Sequence, residues 1–433
     1  MSSNEPLFLG IDFGTSGARA AIINHAGDQL DFQSVALAES VHRDAEIEQD
    51  PLDWWQALVH LTADKLEPKL KPQIRTIAID GTSASLLLAN ASGHPLSPCL
   101  MYNDHRAIDE SSLIDQTLPA ELNAARGATS ALAKLLYLNK KFPKASHALH
   151  QADWLCNRLM GQFGHSDDNN CLKMGYDSVA KQWPGSLSKL IDDMSLLPRV
   201  HKPGTVIANI DTKVAEQLAL SADTQIVAGT TDSIAATYAA GAREIGDAVS
   251  SLGSTLVVKV VSGSPISSPE YGVYSHPYGN YWLVGGASNT GGSVLLQHFS
   301  VEQLGSLSLK INPNYDSGLN YYPLPARGER FPIADPNKAS ILTPRPEDDA
   351  VFLQAMFEGI ANIEVMAYQI IAELGTSSIK RLISVGGGSR NTIWKAMRER
   401  KLGLKFDNAT SNEAAYGSAL IARDGYSKLR KEN

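Results

Sequence analysis

The chain has 433 residues, a length compatible with two large domains or three smaller ones. Hydrophobic residues make up 43% and charged residues 19%, which is typical of a soluble globular protein with sizeable cores. The formal net charge of −8 and the lack of a basic stripe argue against a nucleic-acid partner.

The cysteines and the N-terminal region indicate the compartment. Cys99, Cys156 and Cys171 show neither paired nor metal-binding spacing, so we expect incidental buried thiols in a reducing environment. The N-terminal stretch has no basic region, and its apolar run is too short for a signal peptide or a membrane span. We therefore expect a cytoplasmic protein with no membrane partner.

The first stretch with a clear pattern predicts a β-hairpin. Apolar runs at Leu7–Ile11 and Ala20–Ile23 read as strands, and the small residues Gly14–Gly17 read as the tight turn between them. Taken alone, this stretch is as compatible with an ordinary hairpin as with a ligand site.

The composition of this turn suits phosphate binding. Glycine imposes no Cβ, so the backbone amides and the hydroxyls of Thr15 and Ser16 are able to approach an anion closely. Asp12 lies at the mouth of the turn, where a carboxylate beside phosphates commonly holds Mg²⁺.

A second stretch, residues 248–261, repeats the pattern of strand, small-residue turn and strand. Its turn contains Gly253 and Ser254. Two such hairpins more than 200 residues apart suggest a duplicated architecture with one hairpin in each half. We expect a nucleotide to bind between the halves.

Polar residues follow a buried strand in the first half. The β-rich run Ile74–Ile79 ends at Asp80–Ser85, and Leu86–Ala89 begins another strand. In open α/β sheets ligands bind at the carboxyl ends of strands, which makes Ser83 a candidate binding residue.

An aspartate stands at a strand–helix junction in the middle of the chain. Gln225–Gly229 reads as a buried strand, and Ile234–Ala240 as a helix, with Asp232 between them. Asp232 is compatible with a helix N-cap. Opposite a phosphate donor, the same carboxylate would take the proton of an attacking hydroxyl.

Two glycine-rich segments follow in the second half. Gly285–Gly292 precedes a helix expected over Ser293–His298, a typical anion site. Arg381–Val385 reads as a strand running into Gly386–Asn391, where glycines let a ring or ribose approach and Asn391 offers an amide.

The remaining chain carries further structural expectations. We predict a helix from Pro51 capped by Asp50, and a second over Phe352–Leu374. Residues 108–200 read as mostly helical, with a polar loop at 164–170, and the proline-rich segment 312–348 reads as a surface connection.

The motifs together resemble the FGGY family of carbohydrate kinases. Six of them occur in the family's order: Asp12–Ser16, Tyr102–Arg106, Gly229–Asp232, Leu252–Thr255, Gly386–Asn391 and Glu413–Gly417. Within the family the chain is most similar to the cyanobacterial and plant D-ribulose kinases, with which it shares Asp80–Ser83 and Gly229–Ala236.

The resemblance implies an α/β fold of two actin-like (ribonuclease H-like) domains with ATP and sugar in an interdomain cleft. We place the domains at 1–228 and 229–433, with the last helix packing back on the first. Asp232 would be the catalytic base, and Asp12 the Mg²⁺ ligand. The residues implied to line the sugar are Asp12, Ser16, Gly17, Ala18, Arg19, Ser83 and Asp232. Those implied to contact ATP are Thr15, Gly253, Ser254, Gly292, Gly387, Gly388, Ser389, Arg390 and Asn391.

The sequence departs from the family at one motif. Typical xylulokinases carry a Gln-x-His-Gly sugar motif where this chain has Asp80–Ser85. We therefore expect D-ribulose as substrate, with ATP and Mg²⁺, and a monomer or homodimer. D-xylulose, another polyol or ketose, and a sugar-independent ATPase of the actin or Hsp70 kind stay open. A sugar contact from Asn103, Asp104 or Arg106 also stays open.

Overall fold

The computed structural model describes residues 5–120 and 122–432. The chain divides into two compact units, one running up to Ala239 and resuming at Glu413, the other spanning Ala240–Asn412. The sequence-based boundary at 228/229 falls before the helix Asp232–Ala240, all but the last residue of which belongs to the first unit.

The first unit contains most of the strands. Their bounds are β1 Leu7–Phe13, β2 Gly17–Ile23, β3 Gln29–Ala36, β4 Val41–Arg43, β5 Glu46–Gln49, β6 Ile74–Gly81, β7 Leu86–Ala89, β8 Cys99–Leu100, β9 His147–His150, β10 His165–Asp167, β11 Arg199–His201, β12 Val206–Asn209, β13 Gln225–Val227 and β14 Thr230–Thr231. Its helices are α1 Pro51–Val59, α2 Ile108–Thr117, α3 Ala131–Lys141, α4 Gln151–Met160, α5 Asp168–Cys171, α6 Thr212–Leu218 and α7 Asp232–Ala240, with α12 Ala414–Glu432 at the C-terminal end.

The main sheet of this unit has the order β12-β13-β6-β1-β2-β3, with β14 also pairing with β6. β1 and β2 form the predicted antiparallel hairpin, and β1 runs parallel to β6. Strands β1 and β2 are buried almost throughout because helices cover the sheet, which explains their nearly continuous apolar composition. The predicted hairpin is confirmed.

Helix α12 packs directly on this sheet. A Cβ on Gly10 of β1 would overlap the backbone of Ala415 and Ala419, so the helix and strand approach closely only because Gly10 has no side chain. Thr76 of β6 donates a hydrogen bond to the carbonyl of Ala422 at 2.9 Å. The expectation that the last helix returns to the first part of the chain agrees with these contacts.

Two expectations for the first unit are wrong. Residues 108–200 are not mostly α-helical, because strands β9, β10 and β11, 3₁₀ turns and irregular segments take up more than half of this stretch. The segment 164–170 is polar but is not a loop: it forms β10 and the start of α5, and Asp167 is buried as the N-cap of α5. Its polar side chains bond to one another inside the fold, which the polar composition of the segment did not reveal.

The second unit holds one six-stranded sheet in the order β17-β18-β16-β15-β19-β20. The strand bounds are β15 Asp247–Leu252, β16 Leu256–Ser262, β17 Tyr274–Tyr278, β18 Tyr281–Ser288, β19 Arg381–Val385 and β20 Phe406–Asp407. The helices are α8 Gly292–Leu296, α9 Val301–Ser308, α10 Asp349–Glu373 and α11 Thr392–Leu402.

The central strands of the two units repeat one arrangement. β15 pairs with β16 as an antiparallel hairpin and runs parallel to β19, as β1 does with β2 and β6. The glycine-rich segment Gly386–Gly388 follows β19, and Thr82–Ser85 follows β6 at the corresponding place. The structure therefore supports the inference of a duplicated architecture.

Helix α10 is the core helix of the second unit. Among the described residues it alone is long and apolar enough to cross a membrane, yet its apolar side chains, such as Phe352 and Met356, pack inside the unit's hydrophobic core. The segment 312–348 is not purely a surface connection, because Tyr321, Leu324 and Phe331 are buried in the same core.

Candidate active site

Three aspartates converge at one edge of the first unit's main sheet. Asp12 at the end of β1 pairs in register with Asp80 of β6, and Thr230 of β14 pairs with Asp80 on the other side. Asp232 follows β14 immediately. Because the three strands are parallel, their carboxyl ends share an edge, where ligands bind in open α/β sheets.

The electrostatics show how close these carboxyl groups lie. Asp80 is fully buried, and its pKa is raised well above the usual value, first by burial and then by the nearby carboxylate of Asp12 and that of Asp232. Ser418 of α12 donates a hydrogen bond to Oδ2 of Asp80 at 2.6 Å, which opposes the shift without cancelling it. Burial and the two neighbouring carboxylates therefore favour the neutral form of the Asp80 carboxyl group, which lies beside Asp12.

Asp12 carries a cationic neighbour as well. Nη1 of Arg19 donates to Oδ2 of Asp12 at 3.1 Å, and Nε of Arg19 lies 3.9 Å from a carboxylate oxygen of Glu413. The exposed fraction of Asp12 is 6%, whereas Arg19 is half-buried. The Asp12 carboxylate thus lies between the buried carboxyl group of Asp80 and the guanidinium of Arg19.

The turn between β1 and β2 presents the predicted phosphate-binding groups. The amide of Gly14 donates to the carbonyl of Gly17, and the amide of Leu37 to the carbonyl of Ser16, each at 3.0 Å. Thr15 is half-buried and Ser16 is exposed. Backbone bonds to the carbonyls of Ser16 and Gly17 therefore help to fix the shape of this turn.

Of the residues that follow β6, Thr82 and Ala84 are buried in the fold, whereas Ser83 is partly accessible to solvent. The amide and hydroxyl of Thr82 donate to Oε1 of Gln151, at 3.0 and 2.8 Å. Ser83 is half-buried, whereas Ala84 beside it is fully buried. Ser83 is accordingly the residue of this segment that a ligand at the sheet edge could meet.

Asp232 is the first residue of α7 and is half-buried. Its Oδ1 accepts a hydrogen bond of 2.6 Å from the amide of Ser233. The carboxylate is therefore oriented by the helix that it begins, a fixed position suited to a proton acceptor.

In the second unit the predicted ATP residues come together around the β15–β16 turn. The amide of Gly292 donates to the carbonyl of Gly253 at 2.8 Å, and the amide of Ser293 to that of Ser254 at 3.1 Å. Gly386 has φ 87°, and a Cβ there would lie 2.6 Å from the carbonyl oxygen of Leu252. The glycines thus let three segments pack closely beside an exposed Ser254.

The donor set fits Mg²⁺ bound with substrate. Among the described residues no group of three or more His, Cys, Asp or Glu side chains forms a metal cage. Mg²⁺ is commonly held by one or two carboxylates together with phosphate oxygens and water, so Asp12 alone meets the requirement once phosphates are present.

Two family models match nearly the whole chain. The N-terminal domain of the FGGY family of carbohydrate kinases matches residues 7–239, and the C-terminal domain of the same family matches residues 248–423. The chain belongs to the FGGY family of carbohydrate kinases. The predicted two-domain α/β fold and the assignment as a carbohydrate kinase are confirmed.

Relatives of this FGGY kinase include xylulose kinases and a gluconokinase of Bacillus subtilis, which is 20% identical and covers 90% of this chain and 81% of the relative. A xylulose kinase of Streptomyces coelicolor is 26% identical, covering 98% of this chain and 89% of the relative, and one of Escherichia coli is 23% identical, covering 96% and 90%. A solved xyloylose kinase from Brucella ovis superposes with a TM-score of 0.89 at 24% identity, covering 98% of this chain and 91% of the other. The structural likeness supports the shared fold.

Three residues that the resemblance implied as ligand contacts, Gly17, Ala18 and Asn391, are instead buried or bonded within the fold of this FGGY kinase. Ala18 is fully buried and is paired on both sides, with Phe13 and Val35, and Gly17 is buried beside it. Asn391 caps α11 by accepting from the amide of Trp394 at 3.0 Å. The side chain of Ala18 therefore faces the core, and the amide of Asn391 serves the fold.

Asp80 was missed as a site residue in the sequence. In the sequence it stood in the polar run after Ile74–Ile79, but only Ser83 was selected because a buried acid resembles a turn former in sequence. The usable signal was that Asp12 and Asp80 each end a buried strand, which places them side by side when the strands pair in parallel.

Proposed function

We propose that this kinase transfers the γ-phosphoryl group of ATP to the terminal hydroxyl of a ketopentose, with D-ribulose converted to D-ribulose 5-phosphate. The observation that carries the proposal is the convergence of Asp12, Asp80 and Asp232 at the carboxyl ends of three parallel strands. Such a group supplies a proton acceptor beside a site for a cation and phosphates.

Asp232 is the proposed general base. The O5 hydroxyl of the sugar gives its proton to the Asp232 carboxylate while the oxygen attacks the γ-phosphorus. The bond from that phosphorus to the bridging oxygen breaks, and ADP leaves with the electron pair. Phosphoryl transfer needs mainly alignment and charge neutralisation, so a fixed carboxylate suffices.

Asp12 is the residue that would hold Mg²⁺, which when bound neutralises the charge of the phosphates. Asp80 pairs in register with Asp12, and the raised pKa of its carboxyl group favours a neutral form that would limit the local negative charge. The turn amides and the hydroxyl of Thr15 would meet the transferred phosphate, and Arg19, Ser16 and Ser83 the sugar.

The second unit would supply the nucleotide contacts. We assign this role to the exposed or half-buried groups around its central turn: Gly253, Ser254, Gly292, Gly387, Gly388, Ser389 and Arg390. Glycines there permit close approach of a flat ring or a ribose. Asn391 would contribute only indirectly, as the N-cap that starts α11 next to these residues.

The choice of D-ribulose depends on Asp80–Ser85. This segment has neither the imidazole nor the side-chain amide of the Gln-x-His-Gly motif, which leaves short hydroxyl side chains to meet the sugar. D-xylulose is the second candidate, because relatives across the chain's length are named xylulose kinases.

A coupled assay of ADP release tests the proposal, with D-ribulose, L-ribulose, D-xylulose and glycerol as acceptors. We expect release to rise sharply with D-ribulose and to stay low without sugar. Preference for D-xylulose would overturn the substrate assignment alone. Slow release that no acceptor stimulates would overturn the kinase proposal in favour of a sugar-independent ATPase.

We also propose that the enzyme works in the cytoplasm, as a monomer or homodimer, on a free small-molecule sugar. Its three cysteines are buried free thiols, which a reducing compartment maintains.

A further inference from the structure

Gln49, the last residue of β5, contacts the turn between β1 and β2 although it lies far from it in sequence. Its Nε2 donates a hydrogen bond of 2.8 Å to the carbonyl of Thr15 and a longer one of 3.4 Å to that of Ala38. Its Oε1 accepts from Nε1 of Trp54 at 2.8 Å. Both atoms of the side-chain amide are therefore bonded.

The surroundings of Gln49 leave its amide little freedom. Its exposed fraction is 7%, and that of Trp54 is 1%. Because the indole of Trp54 only donates, it forces the Gln49 oxygen toward itself and the nitrogen toward Thr15. Gln49 also pairs with Cys99 of β8, which fixes its backbone.

The bond to Thr15 determines where the next amide points. A peptide group is planar and trans, so its carbonyl and the following N–H point in opposite directions. With the Thr15 carbonyl bound to Gln49, the N–H of Ser16 points away from Gln49. If the Thr15–Ser16 peptide flipped, the carbonyl oxygen of Thr15 would point to the side toward which the N–H of Ser16 now points.

We infer that Gln49 is a positioning residue that holds the Ser16 amide toward the phosphate of the bound nucleotide. The inference rests on the proposed function, because it assigns the turn to phosphate binding. Gln49 touches neither nucleotide nor sugar; it acts through the Thr15–Ser16 peptide. Trp54 supports it by fixing the orientation of its amide.

Gln49→Glu is the sharpest test, because the shape and the acceptor for Trp54 are kept while the donor to Thr15 is lost. We expect kcat for the preferred ketopentose to fall about tenfold to a hundredfold, as for other losses of an oriented donor. Affinity for the β,γ-imido analogue of ATP with Mg²⁺, measured by calorimetry, should fall about tenfold. Trp54→Phe should also lower kcat and the affinity for the analogue, by smaller factors than Gln49→Glu.

The matched control is Gln73→Glu, since Gln73 also donates to a backbone carbonyl, that of Lys69 at 3.1 Å, but on the surface. It should leave kcat and analogue affinity within about twofold of the parent. Wild-type kcat and analogue affinity in Gln49→Glu would overturn the inference. So would losses fully accounted for by a smaller folded fraction, measured by circular dichroism at the assay temperature.

The two proposals fail separately. If no sugar stimulates the unmodified enzyme, the proposed function fails, and the analogue affinities of the parent and Gln49→Glu still decide the role of Gln49. An unchanged analogue affinity would then overturn it.

Discussion

Ser418 donates a hydrogen bond of 2.6 Å to the Asp80 carboxyl group, across 338 residues of sequence. The last helix of the chain therefore supports the acid that lies against Asp12. Tyr416 of the same helix donates to the carbonyl of Gly27 at 2.9 Å. Assembly of the candidate site thus depends on correct docking of α12.

Gly10→Ala should disrupt this docking. The added methyl would overlap the backbone of α12 at Ala415, which no side-chain rotation relieves. We expect the free energy of unfolding to fall by about 3 kcal/mol or more. Gly305→Ala in α9 is the control, since nothing lies within 4 Å of its Cβ position. Chemical denaturation measures the free energy of unfolding of both variants. Equal values for Gly10→Ala and Gly305→Ala would contradict close packing at Gly10.

Ser83→Ala should affect the sugar and not the nucleotide. Loss of one hydroxyl that meets a ketopentose should raise the KM for the sugar about tenfold and leave the KM for ATP within about twofold. Ser92→Ala, an exposed serine of the same unit, is the control. Steady-state kinetics distinguishes the two constants. An unaltered sugar KM would remove Ser83 from the binding site.

Lys134 makes the stability of the protein pH-dependent. Its Nζ is buried and donates to the carbonyls of Ala84 and Met101, at 2.8 and 2.6 Å. Burial lowers the pKa of Lys134 to about 7, although Cys99 and Asp104 oppose this shift while Lys173 and Arg106 add to it. In the unfolded chain the group keeps its proton up to about pH 10.

Because the unfolded state then binds more protons above pH 7, this group makes stability rise with pH. We expect the free energy of unfolding of the parent, relative to Lys134→Met, to increase by about 1 kcal/mol from pH 7 to 8. Both proteins contain the same three cysteines, so ionisation of their thiols in the unfolded chains cancels in this difference. Urea denaturation measures this difference at both pH values. An equal difference at pH 7 and pH 8 would show that Lys134 does not titrate in this range.

Asn391→Ala separates a structural role from ATP binding. The side chain caps α11 and also donates to Ser308 Oγ at 2.7 Å, so its loss should lower the free energy of unfolding by about 1 kcal/mol. Affinity for the ATP analogue should change less than twofold, as for the matched cap variant Asp348→Ala of α10. A selective tenfold loss of analogue affinity would restore Asn391 to the nucleotide site.

The sequence was informative wherever local chemistry determines structure. The two hairpins, the cap at Asp50 and the strand–helix junction at Asp232 follow from turn residues and apolar runs, and all are present. It was less informative where long-range packing decides. The buried polar segment around Asp167, the core role of Phe331 and the partnership of Asp80 with Ser418 depend on neighbours distant in sequence.

The most direct test of the account is Asp232→Asn. The amide keeps the shape but accepts a proton poorly, so kcat for the ketopentose should fall by a factor of about 10² to 10⁴ while analogue affinity stays within about twofold. Asp223→Asn, an exposed acid of the same unit, should behave as the parent. Most of the parental turnover retained in Asp232→Asn would place the base elsewhere and contradict the mechanism.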